Sequence, residues 1–322
     1  MQKLLKTTAL FLVVAMIAIS LVGCDTSKTN GKIKIGIIEG SNASAFTELT
    51  EGFKEEMAKS DFDVEYIVKN GSGDTNLLAS IAQQMLSVKV DIVFTEGTLA
   101  SQITNTVVNG EIPIVFGGMT SPVDAGVVVD FENSTKLNIT GVTDFTTGEG
   151  DLELIKEYLP TVKKVGTVYS STEINMVVQY RTIQDVLEKA GYTFTPTVIN
   201  NSSEISLALD KALVDNDVLI VYEDTTVGPA ADLIAEKALA KSTPVIGSGV
   251  GQFESGFLMG RLIQYRYIGR VAAQKAIHIL EGKKAYDVPL ENAPLGDLYV
   301  NKTTANKLGI DVNIFKDATF VE

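Results

Sequence analysis

The residues able to do chemistry gather in short polar, glycine-rich segments. Glu39-Gly40-Ser41-Asn42, Asn70-Gly71-Ser72-Gly73-Asp74, Thr95-Glu96-Gly97-Thr98 and Gly117-Gly118-Met119-Thr120-Ser121 make one set, and Ser170-Ser171-Thr172-Glu173, Asn200-Asn201-Ser202, Glu223-Asp224-Thr225-Thr226 and Gly247-Ser248-Gly249 make a second. Hydroxyls, amides and carboxylates at this density suit hydrogen bonding to a small polar molecule, while the same residue types also cap helices and form turns. Covalent and metal chemistry has little raw material. Cys24 and His278 are the only cysteine and histidine, so a disulfide framework, a Cys/His zinc site and a Cys-His nucleophile pair lose their raw material. No Gly-x-Ser-x-Gly elbow, Gly-x-x-x-x-Gly-Lys phosphate loop, His-Glu-x-x-His helix or EF-hand loop occurs. Gly247-Ser248-Gly249-Val250-Gly251 shares two glycines with a dinucleotide fingerprint but follows a late strand without a clear helix opening. His278, between Ile277 and Ile279 in a helical stretch, reads as structural. Acid pairs such as Glu223-Asp224 leave general acid/base catalysis open on residue types alone.

These segments are placed by alternating strands and helices. Runs of β-branched residues at Ile33–Ile38, Val64–Val68, Ile92–Phe94 and Ile112–Phe116 predict strands, with helices over Ala45–Lys59, Asn76–Val88 and Leu99–Asn109 between them. A second series repeats the order: strands at Val165–Tyr169, Thr193–Val198, Val218–Tyr222 and Pro244–Ile246, with helices over Gly150–Leu159, Asn175–Ala190, Ser203–Val214 and Gly228–Lys241. A last long helix is expected over Tyr267–Glu281, ended by Gly282, with a strand at Asp297–Asn301 after it. Strands alternating with helices argue for parallel sheets covered on both faces. In such sheets ligands sit beyond the carboxyl ends of the strands, where the polar segments fall. Two sets facing one another across a cleft point to a small-molecule site between lobes.

At 322 residues and 45% hydrophobic composition, the chain is long enough for two domains with sizeable cores. Its 27 basic and 40 acidic residues give a net charge of -13, which leaves no basic surface for nucleic acid. Lys3 and Lys6 precede an apolar run from Ala9 to Val22 of signal-peptide length. Leu21-Val22-Gly23-Cys24 resembles the bacterial lipobox, with the single cysteine where a diacylglyceryl group, and hence palmitate, is attached. Residues 1–23 are then a removed signal peptide and 24–32 a lipidated cysteine with a polar tether. Loss of Lys3 and Lys6 leaves 25 basic against 40 acidic residues, or -15. Acyl chains contribute about 0.8 kcal/mol per buried methylene, enough to hold a soluble domain on the extracytoplasmic face of the membrane.

Several segments in order resemble the substrate-binding lipoproteins of ABC importers, in the family that includes tryptophan and tyrosine binders. Asn70-x-x-Gly73-Asp74, Thr98-x-Ala100-x-Gln102 and Ser121-Pro122-Val123-x-Ala125-Gly126-Val127 carry the likeness first. The most specific stretch runs from Gly141-Val142-Thr143-Asp144 through Leu152-Glu153-Leu154-Ile155-Lys156 to Leu159-Pro160-x-Val162-Lys163-Lys164. Glu173-x-Asn175, Asp224-x-Thr226-Val227, Gly269 and Ile279-Leu280-Glu281-Gly282 extend it. The resemblance implies a type I periplasmic-binding-protein fold: an α/β protein of two doubly wound parallel-sheet lobes joined by three crossovers. Lobe one is expected over 33–143 plus 264–288 and lobe two over 144–263 plus 289–322. Two departures stand out. Family members often carry Gln or His in the loop that here reads Glu39-Gly40-Ser41-Asn42, and Gln264 stands where a Gly-x-Asp acid is usual. An ammonium group buried between lobes then needs another anion, from Asp144, Asp224, Glu39 or Glu96.

The expected function is a non-enzymatic solute-binding lipoprotein that takes no cofactor or metal, closes as a hinge on a small molecule, and presents it as a monomer to ABC permease subunits. A ligand-sensing lipoprotein that signals to a receptor is the alternative, and a lipid-anchored enzyme a more distant one. The ligand-binding candidates are Ser41, Asn42, Thr98, Thr120, Asp144, Tyr169, Ser171, Thr172, Asn175, Tyr222, Asp224 and Gln264. Thr98 and the helix start after it, facing Ser171, Thr172 and Asn175, suit a carboxylate. Asp144 and Asp224 are the expected cation partners. Tyr169 and Tyr222 divide evenly between core packing and ring stacking, with Phe46 and Phe145 also near the loops. An aromatic or apolar amino acid is the expected ligand, with a neutral or purine-like compound second.

Overall fold

The computed structural model describes residues 31–130, 137–222 and 226–322. The signal-peptide residues, Cys24 and Asp224 lie outside the described residues. From Ile33 the chain builds β1 (Ile33–Glu39), α1 (Ser44–Met57), β2 (Val64–Asn70), α2 (Thr75–Val88), β3 (Ile92–Glu96), α3 (Thr98–Val108), β4 (Ile114–Gly117) and β5 (Ile139–Thr143). Then come α4 (Glu149–Tyr158), β6 (Lys164–Ser170), α5 (Ile174–Lys189), β7 (Thr193–Ile199), α6 (Ile205–Asp215), β8 (Val218–Ile220), α7 (Ala231–Ala240), β9 (Val245–Ile246), α8 (Val250–Ser255) and β10 (Met259–Ile263). The last part holds α9 (Tyr265–Leu280), β11 (Glu291–Asn292), β12 (Leu295–Asn301), α10 (Lys302–Lys307) and β13 (Thr319–Val321).

The strands form two sheets, ordered β2-β1-β3-β4-β5-β11 and β7-β6-β8-β9-β10-β12-β13. Every pairing is parallel except β10 with β12. Helices cover both faces of each sheet, so β3, β4 and β5 are buried along their whole lengths. On one face of the first sheet Ile35, Ile37 and Phe94 pack with Phe53 and Ile268, and on the other Ile38 and Val93 pack with Leu78 and Met85. The second sheet is likewise sandwiched between two apolar clusters.

The chain passes between the sheets three times, at 144–148, at 264 and at 293–294. Because β11 pairs with β5, the third passage follows Asn292, a few residues beyond the expected limit at 289. Helix α9 packs on α1, with the first sheet, and two glycines permit the approach. A Cβ on Gly52 would run into the backbone of Arg266, and one on Gly269 into that of Leu49. Arg266 closes the contact by forking onto Glu55 and reaching Glu48 at 3.0 Å.

Helices expected from periodicity fall within about three residues of those observed. Among the described residues, β5, β10, β11, β13, α8 and α10 are additional to the expected elements. The glycine run at 247–251 does open a helix, contrary to the sequence reading, because Gln252 caps it from within. Its Oε1 accepts the amides of Ser248 at 2.8 Å and Gly249 at 3.2 Å. Those amides are therefore spent inside the loop and are not free to hold a phosphate.

Candidate functional site

Strand order reverses between β1 and β3 in the first sheet and between β6 and β8 in the second, which places a crevice at the carboxyl end of each. A cavity of about 160 Å³ opens there, lined from the first side by Gly40, Phe46, Glu96, Thr98, Gln102 and Thr120, and from the second by Thr172, Glu173, Ile174, Asn175 and Met176. Asp144, on the first passage, and Tyr265, just after the second, complete its wall.

Three helices begin at this cavity without a side-chain cap. The residues before α1, α3 and α5 are Ala43, Gly97 and Glu173, and none accepts a first-turn amide through its side chain. The contrast is α2, whose Asp74 accepts the amide of Leu77 at 2.8 Å. Uncapped first-turn amides carry the positive end of the helix dipole and favour an anionic group. Gly97 makes the α3 start possible: its φ of 78° is open to glycine, and a Cβ would meet the Phe46 ring at 2.9 Å.

Three buried oxygens at the cavity have no hydrogen-bond partner among the described residues: Glu96 Oε2, Thr98 Oγ1 and Asp144 Oδ1. Buried polar atoms are ordinarily satisfied, so orphans gathered at one cavity mark where a bound molecule would supply the partners. Glu96 is fully buried at the end of β3, and Thr50 of α1 donates to its Oε1 at 2.6 Å. Burial, with a contribution from the nearby Glu39 carboxylate, holds its pKa well above the usual 4.5. Asp144 is also raised, chiefly by burial, against the opposing hydrogen bonds of Thr120 and Tyr265, whose phenol lies 3.5 Å from Oδ2. Each carboxyl gains if a donor or a cation arrives to balance its charge.

Of the expected ligand residues, the structure brings Thr98, Thr120, Asp144, Thr172 and Asn175 to this cavity. Asp224 lies outside the described residues, and the remaining ones stand elsewhere. Ser41 Oγ accepts the Ala43 amide at 3.3 Å and Asn42 is exposed. Ser171 is exposed and donates to Asn200 at 2.9 Å. Tyr169 stacks on Tyr180 with centroids 4.9 Å apart, packed against the core of the second sheet. Tyr222 is buried in that core, donating its hydroxyl to Asp151 and lying 3.0 Å from Thr146 Oγ1. Gln264 lines an adjoining groove with Glu48, Arg266 and Arg270, which shares Ala45 and Tyr265 with the cavity. Phe145 lies outside the cavity lining, its carbonyl accepting from Asn292 at 3.1 Å.

Tyr265, Gln102, Ile174 and Met176 also line the cavity and are not among the ligand residues expected from sequence. Tyr265 opens the last long helix two residues ahead of Tyr267, where the sequence pattern starts it. Gln102 had a signal, its place one turn into α3, from where Nε2 bonds the Ala125 carbonyl at 2.7 Å. Among the described residues no group of three or more His, Cys, Asp or Glu is arranged to hold a metal ion.

The family described as ABC transporter substrate binding protein matches residues 34–320. A tyrosine-binding protein of Clostridioides difficile strain R20291 is 28% identical over 290 residues, covering 88% of this chain and 84% of the relative. A Streptococcus pneumoniae ABC domain solved in complex with L-Trp superposes with a TM-score of 0.84 at 25% identity, over 91% of this chain and 100% of the other. A ligand-free, open substrate-binding protein with adhesive properties from Clostridium difficile gives 0.74 at 26% identity, over 90% and 99%.

Proposed function

The chain belongs to the family of ABC transporter substrate-binding proteins, and we propose that it is the extracytoplasmic receptor of an importer, holding an aromatic amino acid between its two lobes. The observation that carries this reading is the meeting of uncapped helix starts and orphaned buried carboxyl oxygens in one cavity. An α-amino acid presents its carboxylate and ammonium one carbon apart, so their partners must be neighbours. Thr98 Oγ1 and the first amides of α3 take the carboxylate. Glu96, two residues away across the Gly97 turn, takes the ammonium, which restores the charge that burial opposes. Phe46 and Tyr265 flank the ring from the first lobe, and Ile174 and Met176 cover it from the second.

Closure follows from that division of the walls. A ligand touching both lobes favours the state in which both are in reach, by the difference in contacts between the two states. The better superposition on an L-Trp complex than on an open, ligand-free relative supports this reading. The names of the relatives, for tyrosine and tryptophan, support the aromatic class. The receptor works as a monomer, tethered to the outer face of the membrane by acylated Cys24, and passes its ligand to permease subunits without turnover. Mass spectrometry of the compound carried through purification, followed by calorimetry with the twenty amino acids, tests it. A micromolar Kd for an aromatic amino acid, about -8 kcal/mol, is expected. Binding of none of the twenty, or conversion of the bound compound, would refute it.

A further inference from the structure

Thr98 and Glu96 account for the main-chain groups of an amino acid, and Asp144 is left over. It follows β5, and Glu96 ends β3, with β4 between them: Glu96 pairs with Gly117, and Gly117 with Val142. Two strand spacings separate the backbones by about 10 Å, comparable with the reach of an aromatic amino acid from its nitrogen to the far edge of its ring. Asp144 Oδ1 nevertheless ends at the same cavity without a partner, while Oδ2 faces the Tyr265 phenol at 3.5 Å. A carboxyl held there by Thr120 and Tyr265 has one oxygen reserved for something else.

We infer that Asp144 is a specificity residue that accepts a hydrogen bond from an O–H or N–H at the far end of the ligand's ring, so that the receptor selects aromatic amino acids bearing such a donor over phenylalanine. The inference rests on the proposed amino-acid reading. A site with a buried acceptor rejects the ligand that leaves it unpaired far more strongly than an apolar pocket rejects an added hydroxyl. A hydrogen bond to a carboxylate sets the preference at about 10- to 100-fold.

Calorimetry of the full chain with L-tyrosine, L-tryptophan and L-phenylalanine tests it, on wild type, Asp144→Leu and Asp144→Asn. The expected result is that wild type binds tyrosine or tryptophan at least about 10-fold more tightly than phenylalanine. Asp144→Leu brings the better ligand down to the phenylalanine level and leaves phenylalanine within about threefold, and Asp144→Asn, which keeps an acceptor oxygen and the shape, retains part of the preference. If Asp144→Leu does not fold, loss of preference in Asp144→Asn combined with Tyr265→Phe is the substitute reading, with unchanged preference refuting the role. Equal weakening of all three ligands by Asp144→Leu assigns the ammonium to Asp144 and overturns the inference while the amino-acid reading stands. Absence of any preference in wild type overturns it as well. If no amino acid binds wild type, the functional reading itself fails and this inference with it.

Discussion

Replacing Asp151 by asparagine should make the protein progressively more stable than wild type as pH rises. Asp151 opens α4 from a buried position, with the Tyr222 hydroxyl donating to it and, among the described residues, no ion pair to balance its charge. Burial outweighs that hydrogen bond and raises its pKa from 3.8 to about 6. The folded chain therefore holds this proton more tightly than the unfolded chain does. The carboxyl's contribution is fully present below 3.8 and is lost as pH rises through about 6. At about 1.4 kcal/mol per pH unit of displacement, the loss comes to roughly 3 kcal/mol. Asparagine offers Tyr222 an acceptor and never ionises, so the variant lacks this decline. Any pH-independent cost of its buried amide drops out when the same comparison is made at two pH values. Urea denaturation of both proteins at pH 4 and pH 7.5 measures the effect. The stability of Asp151→Asn relative to wild type should increase by 2 to 3 kcal/mol between them. A relative stability that is flat with pH would mean that Asp151 ionises as it does in water, and would refute the reasoning.

Ligand affinity should also depend on pH, with the opposite sign. Glu96 is raised well above 4.5 in the free protein and must be charged to hold an ammonium, so affinity falls as pH is lowered and binding releases a proton; calorimetry in two buffers of different ionisation enthalpy reads this, and Glu96→Gln should abolish the proton release. Gly269→Ala should cost about 1 to 3 kcal/mol in urea denaturation, because the added methyl meets the backbone of Leu49 and forces α9 away from α1. Cys24→Ala should accumulate as the uncleaved precursor and incorporate no labelled palmitate in cells; normal maturation and labelling would remove the lipid anchor from the account.

The alternation of strand and helix was legible because buried parallel strands must be apolar on both faces, and runs such as Ile33–Ile38 have no other comfortable home. Elements that depend on distant partners were not. β11 and β13 are two and three residues long and exist only because β5 and β12 lie beside them. β5 reads Ile-Thr-Gly-Val-Thr, with only two large apolar side chains, and its Thr140 is satisfied by the Val288 carbonyl, 148 residues away. The strand-end rule points to Thr98, Thr120 and Thr172 of the cavity lining because it follows from topology alone, whereas Asp144 comes from the first crossing and Asn175 from the family resemblance. The rule does not tell which side of the sheet a strand-end residue faces. Tyr169 and Tyr222 turn toward α5 and the core, while Phe46 and Tyr265 reach the cavity from helix starts whose positions depend on the packing of α9 against α1.

The first passage between the sheets is pinned at both ends. Thr143 donates to Asn292, whose side chain in turn reaches the Phe145 carbonyl, joining the first passage to the start of the third. Three residues on, Gln179 of α5 grips Thr146 by its amide at 3.3 Å and its carbonyl at 2.5 Å. On this strand of chain, the closure proposed above would turn at residues 144 and 145, which would set Asp144 next to the pivot. A side chain at a pivot would be displaced little by such a closure, whereas groups farther from it would travel more. The far end of a ligand's ring would therefore be read at nearly constant distance throughout the swing, and the main-chain groups would be gripped in full only at its end.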